Sequence, residues 1–368
     1  MTVLVVTNDF PPRQGGIETF VRSLCDELPD VVVYTSREPG DAAYDARLPF
    51  PVVRDRTSML LPTARVTKRA VELLEEYEAD RVLFGAAAPL GLMGPALRRA
   101  GARRIVAMTH GHETWWAGVP GARQALRRIG DAADTVTTVS GWCEEQIRPA
   151  LSSTAVVRRL TPGVDSVRFH PGAGGEQIRQ GLGLVGVPVV VCVSRLIRRK
   201  GQDTLIRAWP RVLADVPEAK LLLVGGGPER GRLEELAAPI ADSVVFTGAV
   251  PWQDIPPYVD AGDVFAMPCR TRRFGLEPEA LGIVTLEASA CGKPVVVGDS
   301  GGAADTVLHG TTGYLVDPYN PAAVGVRIAG LLTNAQHCAE LGAAGRKWVQ
   351  EEWGWGRSGA TLRELLDI

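Results

Sequence analysis

Val3-Leu4-Val5-Val6-Thr7-Asn8-Asp9-Phe10-Pro11-Pro12-Arg13-Gln14-Gly15-Gly16-Ile17 sets the pattern for the whole chain. Val3–Thr7 is a short run of apolar, mostly β-branched residues, the composition of a strand buried on both faces. From Ile17 the apolar residues fall at Phe20, Val21, Leu24, Cys25 and Leu28, the stepping of one helical face. Between the two, Gly15 and Gly16 lack side chains, so the backbone can approach a ligand closely and adopt positive φ. A strand, a glycine turn and a helix make the first half of a βαβ unit, and ligands bind at the C-terminal edges of such strands. The loop fits neither a Walker sequence nor G-x-G-x-x-G, which argues against a P-loop NTPase and a standard dehydrogenase.

The pattern repeats along the chain. Strand-like runs follow at Val31–Thr35, Arg81–Gly85, Ile105–Thr109, Val136–Val139 and Val156–Leu160. A second series comprises Val187–Ser194, Lys220–Val224, Val244–Gly248, Val264–Met267, Pro294–Gly298 and Gly313–Val316. Helical patterns separate them, so two successive α/β, doubly wound parallel-sheet units are expected. The length of 368 residues also suits two domains. The stretch Pro171-Gly172-Ala173-Gly174-Gly175 reads as the linker. The expected division is 1–170, 171–345, and a terminal helical segment 346–368 packing back on the first domain.

Composition narrows the function classes. Hydrophobic residues make up 45% and charged residues 22%, ordinary for a globular protein. The formal net charge of -2 leaves no basic field for nucleic acid. The six cysteines (Cys25, Cys143, Cys192, Cys269, Cys291, Cys338) lie in apolar segments without metal or redox spacing. They predict buried, reduced thiols and a cytoplasmic location. A strand-like start without a basic region or cleavage site reads as lacking a signal peptide, and no apolar run has the length of a membrane span. The chain is expected to be soluble, or at most to sit on the inner face of the cell membrane.

The chemistry gathers at strand ends. Glu279-Ala280-Leu281-Gly282-Ile283-Val284-Thr285-Leu286-Glu287 opens as a loop and continues as a helix. Its first N–H groups, near Ile283 and Val284, favour an anion. Two carboxylates flanking that anion suit sugar hydroxyls, so the pattern points to a nucleotide sugar. A helix-start glutamate can equally be a plain dipole partner. Ser194-Arg195-Leu196 and Arg198-Arg199-Lys200-Gly201 place four cations in six residues after a strand, a diphosphate site or a solvated basic loop. Val224-Gly225-Gly226-Gly227-Pro228 ends the next strand. In Thr109-His110-Gly111-His112-Glu113, strand alternation would set both imidazoles on one side. No further metal ligand stands at nearby spacing, and one histidine facing the inter-domain cleft is the preferred reading. Trp115-Trp116 with Arg123, Arg127 and Arg128, joined by Arg65, Lys68 and Arg69, could touch a membrane interface or be an ordinary solvated face.

Taken together, these motifs resemble the retaining glycosyltransferases of family 4, with the GT-B architecture of two Rossmann-like domains facing across a cleft. The resemblance runs over nearly the whole chain through Gly15-Gly16, Thr109-His110, Ser194-Arg195, Lys200-Gly201, Val224 to Pro228, Phe246-Thr247-Gly248 and Glu279 to Glu287. Longer stretches look closest to the actinobacterial phosphatidylinositol mannoside mannosyltransferases of the PimB type. They are Val6–Arg13, Phe84–Leu90, Thr109–Glu113, Arg198–Leu205 and Val264–Arg272. The resemblance implies GDP-mannose as donor, a mannosylated phosphoinositide as acceptor, an α-1,6 linkage, and neither cofactor nor metal. It implies that Gly15 and Gly16 cover the diphosphate and that Arg195 and Lys200 neutralise it with the N–H groups of Ile283 and Val284. It further implies Val250 beside the base, Glu287 on the ribose, Glu279 on the transferred sugar and His110 at the reacting carbon. Two places differ from the family pattern: Glu18, where the mannosyltransferases carry glutamine, and Arg273-Phe274-Gly275-Leu276-Glu277-Pro278. A family 4 enzyme using a UDP-sugar on a soluble acceptor, a nucleotide-sugar-binding protein without turnover, and a phosphorylase-like enzyme of the same architecture remain alternatives.

Overall fold

The structure, a computed structural model, describes residues 1–272 and 277–368. The loop Arg273-Phe274-Gly275-Leu276, part of the second departure from the family pattern, lies outside the described residues. The chain forms two compact units, residues 1–163 with 355–368, and residues 164–354.

The first unit holds a seven-stranded sheet. Its strands are β1 (Val3–Val6), β2 (Val31–Thr35), β3 (Val52–Arg54), β4 (Arg81–Phe84), β5 (Arg104–Met108), β6 (Thr135–Thr138) and β7 (Val157–Arg159). All pairs are parallel, in the order β3-β2-β1-β4-β5-β6-β7. β1, β2 and β4 are buried throughout, which is why they read as unbroken apolar runs. β3 escaped the sequence reading because it is a three-residue, half-buried edge strand. The order reverses between β1 and β4, and a reversal of that kind opens a crevice at the carboxyl ends of its strands.

The second unit repeats the plan with six parallel strands. They are β8 (Val189–Val193), β9 (Lys220–Val224), β10 (Val244–Gly248), β11 (Val264–Met267), β12 (Val295–Gly298) and β13 (Gly313–Val316). Their order is β10-β9-β8-β11-β12-β13, so the reversal falls between β8 and β11.

The boundaries differ from the expected ones at both crossings. The chain enters the second unit after residue 163 rather than 170, and the glycine stretch 171–175 is built into that unit. Asp260 accepts the N–H groups of Gly172 and Gly175, and a Cβ at Gly175 would stand 2.6 Å from the Asp260 backbone. The terminal segment divides after residue 354. The helix Ala335–Glu352 stays in the second unit, where Gly342 rests against the Gly292 carbonyl. The helix Trp355–Leu366 belongs to the first. There it buries Leu362, Leu365 and Leu366, and Arg81 and Arg104 donate to its last carbonyls at 2.7 and 2.8 Å. Those guanidinium groups satisfy carbonyls that a helix end leaves unpaired.

Candidate active site

In the second unit, β8 runs out into Ser194-Arg195 and a short 3₁₀ turn, Arg198–Lys200. Gly201 ends that turn at φ 78°, and a Cβ there would come within 2.0 Å of the Pro268 carbonyl. Only glycine fits, because the left-handed backbone and the close approach coincide. Gln202 then reaches back, its side-chain amide donating to Ser194 Oγ at 2.8 Å and to the Arg195 carbonyl at 3.0 Å. Arg195 itself is exposed. Beside it, Gly225 and Gly227 of the β9 turn press against the Ser194 and Leu196 carbonyls. Asp203 accepts two hydrogen bonds from Arg270, at 2.8 and 2.9 Å, and one from Arg207. Burial would push this carboxyl up; Arg270 and Arg207 reverse that and hold it below the usual range. The loop after β11 is thereby fixed to the first turn of the helix Gln202–Asp215.

Glu279 is buried, 7% exposed, and Lys200 Nζ lies 2.7 Å from its Oε2. Burial raises its pKa, but Lys200 and then Arg199 outweigh it, so the carboxyl sits below its ordinary value. Its main chain is held too, because Gly302 donates to the Glu279 carbonyl at 2.8 Å. Gly282, at φ 85°, starts the helix Ile283–Ala290. The N–H groups of Ile283 and Val284 stand in its first turn, where no intrahelical acceptor exists. Both residues are half-buried rather than fully enclosed, while Leu286 is in the core. Glu287 follows a turn later, also half-buried. Burial pushes its pKa up to about 7, partly offset by the Arg168 charge and the Trp252 side chain.

Val250 lies just beyond β10, with Trp252 two residues on. The Arg168 guanidinium sits 3.8 Å from the Trp252 ring centroid and donates to the Gln253 carbonyl at 3.2 Å. Trp252 nevertheless stays 50% exposed, a large aromatic surface beside Glu287. Sequence reading passed over Arg168, Trp252, Gln202 and the Asp203–Arg270 pair. Of these, the Gln202-Asp203 step after Lys200-Gly201 was the only local signal.

In the first unit, Gly15 precedes the helix Gly16–Asp26 with extended backbone, φ 175°. Neither Gly15 nor Gly16 adopts the expected positive φ. A Cβ at Gly15 would meet the end of the Glu18 side chain, so a larger residue there would have to displace that carboxylate. Glu18 is buried against that turn, 3.0 Å from Arg13 Nε. Burial raises its pKa more than Arg13 lowers it. Gly16 has open space in front of it.

His110 and His112 do not share a strand face. β5 ends at Met108 and Gly111 turns at φ 95°, so the alternation stops before either histidine. His110 is buried and His112 exposed. His110 Nε2 lies 2.6 Å from the Gly85 carbonyl, and Phe20 meets the ring edge-on. A carbonyl only accepts, so Nε2 carries the proton. Burial holds the imidazole pKa below its usual value, and the neutral ring offers Nδ1 as an acceptor. Among the described residues no group of three or more His, Cys, Asp or Glu is placed to hold a metal ion.

The basic face near Trp115 is more committed than its sequence suggests. Arg65 pairs with Asp55, while Lys68 and Arg69 pair with Glu72, and Arg123 donates to the Pro149 carbonyl. Trp116 packs on the Leu126–Ile147 cluster, whereas Trp115, Val119, Arg127 and Arg128 are exposed. No helix of the described residues is long and apolar enough to cross a membrane.

Two reversals of parallel strand order, each with site residues at its carboxyl edge, define a GT-B type of protein. Solved structures agree on the fold. Anabaena HepE in complex with UDP superposes with a TM-score of 0.83 at 22% identity, with both chains fully covered. Sucrose-phosphate synthase from Thermosynechococcus elongatus gives 0.77 at 25%, covering 99% of this chain and 98% of that one. The family models described as Glycosyltransferase Family 4 and Glycosyl transferases group 1 match residues 14–168 and 175–348. The chain belongs to the family 4 glycosyltransferases. It is 48% identical to the GDP-mannose-dependent alpha-(1-6)-phosphatidylinositol monomannoside mannosyltransferase of Mycolicibacterium smegmatis, over 99% of this chain and 98% of that protein. It is 42% identical to the Corynebacterium glutamicum protein named for the monoacylated form of the same acceptor, over 99% and 97%.

Proposed function

We propose that the protein transfers mannose from GDP-mannose to a phosphatidylinositol mannoside, forming an α-1,6 linkage with retention at the anomeric carbon. The observation that carries this reading is the 48% identity to a mannosyltransferase of that name over nearly the whole of both chains. The strand-end chemistry supports it. Lys200, Arg195 and the N–H groups of Ile283 and Val284 form a cationic edge suited to a diphosphate. Glu287 is assigned to the ribose, Val250 to the base side, Glu279 to the mannose hydroxyls, and Gly15-Gly16 to close backbone approach. His110 is assigned to the reacting sugar, where Nδ1 can accept from a hydroxyl.

The proposed step is front-face substitution. The bond from the anomeric carbon to the diphosphate breaks as the acceptor oxygen bonds to the same face, and a departing phosphate oxygen takes the acceptor's proton. Negative charge develops on the leaving group, so Lys200 and Arg195 stabilise the transition state more than the ground state. Glu279 is an acceptor for hydroxyls and not a general acid; its depressed pKa keeps it ionised. The reaction on this reading uses no metal, and a chelator is expected to leave turnover unchanged.

The test is turnover of GDP-mannose, UDP-glucose and UDP-N-acetylglucosamine with and without mannosylated phosphoinositide. GDP-mannose consumption stimulated by that lipid supports the proposal. Turnover of a UDP-sugar on a soluble acceptor, or tight nucleotide binding without product, overturns it.

A further inference from the structure

Glu113 is a buried ionisable group to which the proposed chemistry gives no role. It is 3% exposed at the first turn of the short helix Glu113–Gly118. Its Oε2 accepts the His110 N–H at 3.0 Å, and its own N–H and that of Ala88 also act on the carboxylate. Ala88 belongs to the loop after β4 that supplies the Gly85 carbonyl to His110 Nε2, and Ala87 N–H binds the Met108 carbonyl at 2.6 Å. The loops after β4 and β5 are thus stitched together around the His110 peptide, with Glu113 as the side chain that joins them.

Among the described residues no cation pairs with this carboxylate. The charged group acting on it is Asp9, beyond β1, which has the same sign; His110 on its own loop is neutral, and His112 acts on His110. Burial raises the Glu113 pKa to about 7, so the ionised form weighs against the fold. A glutamine would keep one acceptor oxygen, but its –NH2 would face the remaining backbone N–H groups donor to donor. Unfavourable groups kept in place at strand ends mark sites held for function rather than stability.

We propose that Glu113 is a positioning residue for the transfer reaction, its carboxylate fixing the His110 peptide and ring in the orientation that meets the reacting sugar. This rests on the mannosyl-transfer reading given above. The experiment compares wild type, Glu113→Gln and Glu113→Ala in GDP binding by calorimetry, thermal midpoint at pH 6 and 8.5, and kcat and KM from pH 5.5 to 9. GDP affinity is expected to be unchanged. Both variants should lose about 10- to 100-fold in kcat, the range of a small misplacement of a reacting group. Wild-type kcat should fall on the acid side as Glu113 protonates near pH 7, and Glu113→Gln should lack that limb. A residue that only stabilised the fold would lower the midpoint when replaced and leave kcat and its acid limb as in wild type. Wild-type kcat and an unchanged acid limb in Glu113→Gln overturn the inference alone. A wild-type protein that turns over no GDP-mannose overturns the functional reading, and the inference with it.

Discussion

Lys200 Nζ lies 2.7 Å from Glu279 Oε2, with both side chains largely buried. The cation assigned to the leaving diphosphate and the carboxylate assigned to the sugar neutralise each other. An incoming diphosphate would add negative charge beside this pair, on which the Arg199 charge also acts. Lys200→Ala should therefore have two effects. Loss of one donor to the developing charge is expected to lower kcat by about 2–4 kcal/mol of transition-state stabilisation, a factor of roughly 30 to 1,000. It should also change how stability depends on pH. In the wild type the Glu279 pKa is depressed, so its contribution is present above the ordinary carboxylate value and is lost as pH falls through the folded value. Without Lys200 the burial effect gains weight, and the variant should lose more thermal stability at pH 8 than at pH 5. Equal losses at both pH values, with near wild-type kcat, would remove Lys200 from the diphosphate site.

Glu287 predicts the opposite slope. Its folded pKa is raised to about 7, so the folded state holds a proton that the unfolded chain releases near 4.5. Stability from this group is full below the unfolded value and declines as pH rises toward 7. Donor binding should move the other way, because the ionised carboxylate accepts ribose hydroxyls better. Glu287→Gln is expected to melt higher than wild type at pH 8 and to raise KM for the donor about tenfold, the size of one lost hydrogen bond to a charged group. Trp252→Ala should also weaken donor binding, since it removes both a partner of Glu287 and the surface that Arg168 covers. Calorimetric titration with GDP at pH 6 and 8 reads both; GDP affinity independent of pH and of Trp252 would refute the assignment.

Gly201 is a backbone prediction. At φ 78°, with the Pro268 carbonyl 2.0 Å from where a Cβ would stand, Gly201→Ala strains the turn and pushes the loops after β8 and β11 apart. A cost of about 1–3 kcal/mol is expected from the conformation alone. Because Lys200 is the preceding residue, activity should fall further than stability. A melting midpoint close to wild type would show that the turn relaxes at little cost.

The sheets were legible because parallel strands buried on both faces are written as unbroken runs such as Val3–Val6 and Val189–Val193. β3 was not, since a half-buried three-residue edge leaves no such run. The glutamate pair and the Lys200 loop were readable from spacing, because a helix start and a strand end fix where neighbouring side chains emerge. What spacing cannot express is long-range pairing. Asp203 with Arg270, Gln202 with Ser194, and Arg168 on Trp252 join residues 8 to 84 positions apart, and each is visible only after the strands have been ordered. The glycine-rich stretch at 171–175 misled for a related reason. Glycine marks a flexible linker and a tight fit equally well, and here Asp260 decides for the fit.

Trp115, Val119, Arg127 and Arg128, exposed along the successive helices Glu113–Gly118 and Pro120–Ala132 and their junction, give the last prediction. An aromatic ring and an aliphatic side chain beside two arginines suit the interface of an anionic bilayer, and an acceptor that is a lipid would be met there. Each arginine near such a surface contributes about 1 kcal/mol, so Arg127→Gln with Arg128→Gln should weaken vesicle partitioning roughly 30-fold, and high salt should do the same. On the helix Ala64–Glu76, Arg65 pairs with Asp55 and Lys68 and Arg69 with Glu72, acidic partners that lower the net charge of that face, so replacing Lys68 should have the smaller effect. Co-sedimentation with vesicles containing phosphatidylinositol, compared with neutral vesicles, checks both statements. Binding that ignores the two arginines but follows Lys68 would move the membrane-facing surface to the other helix.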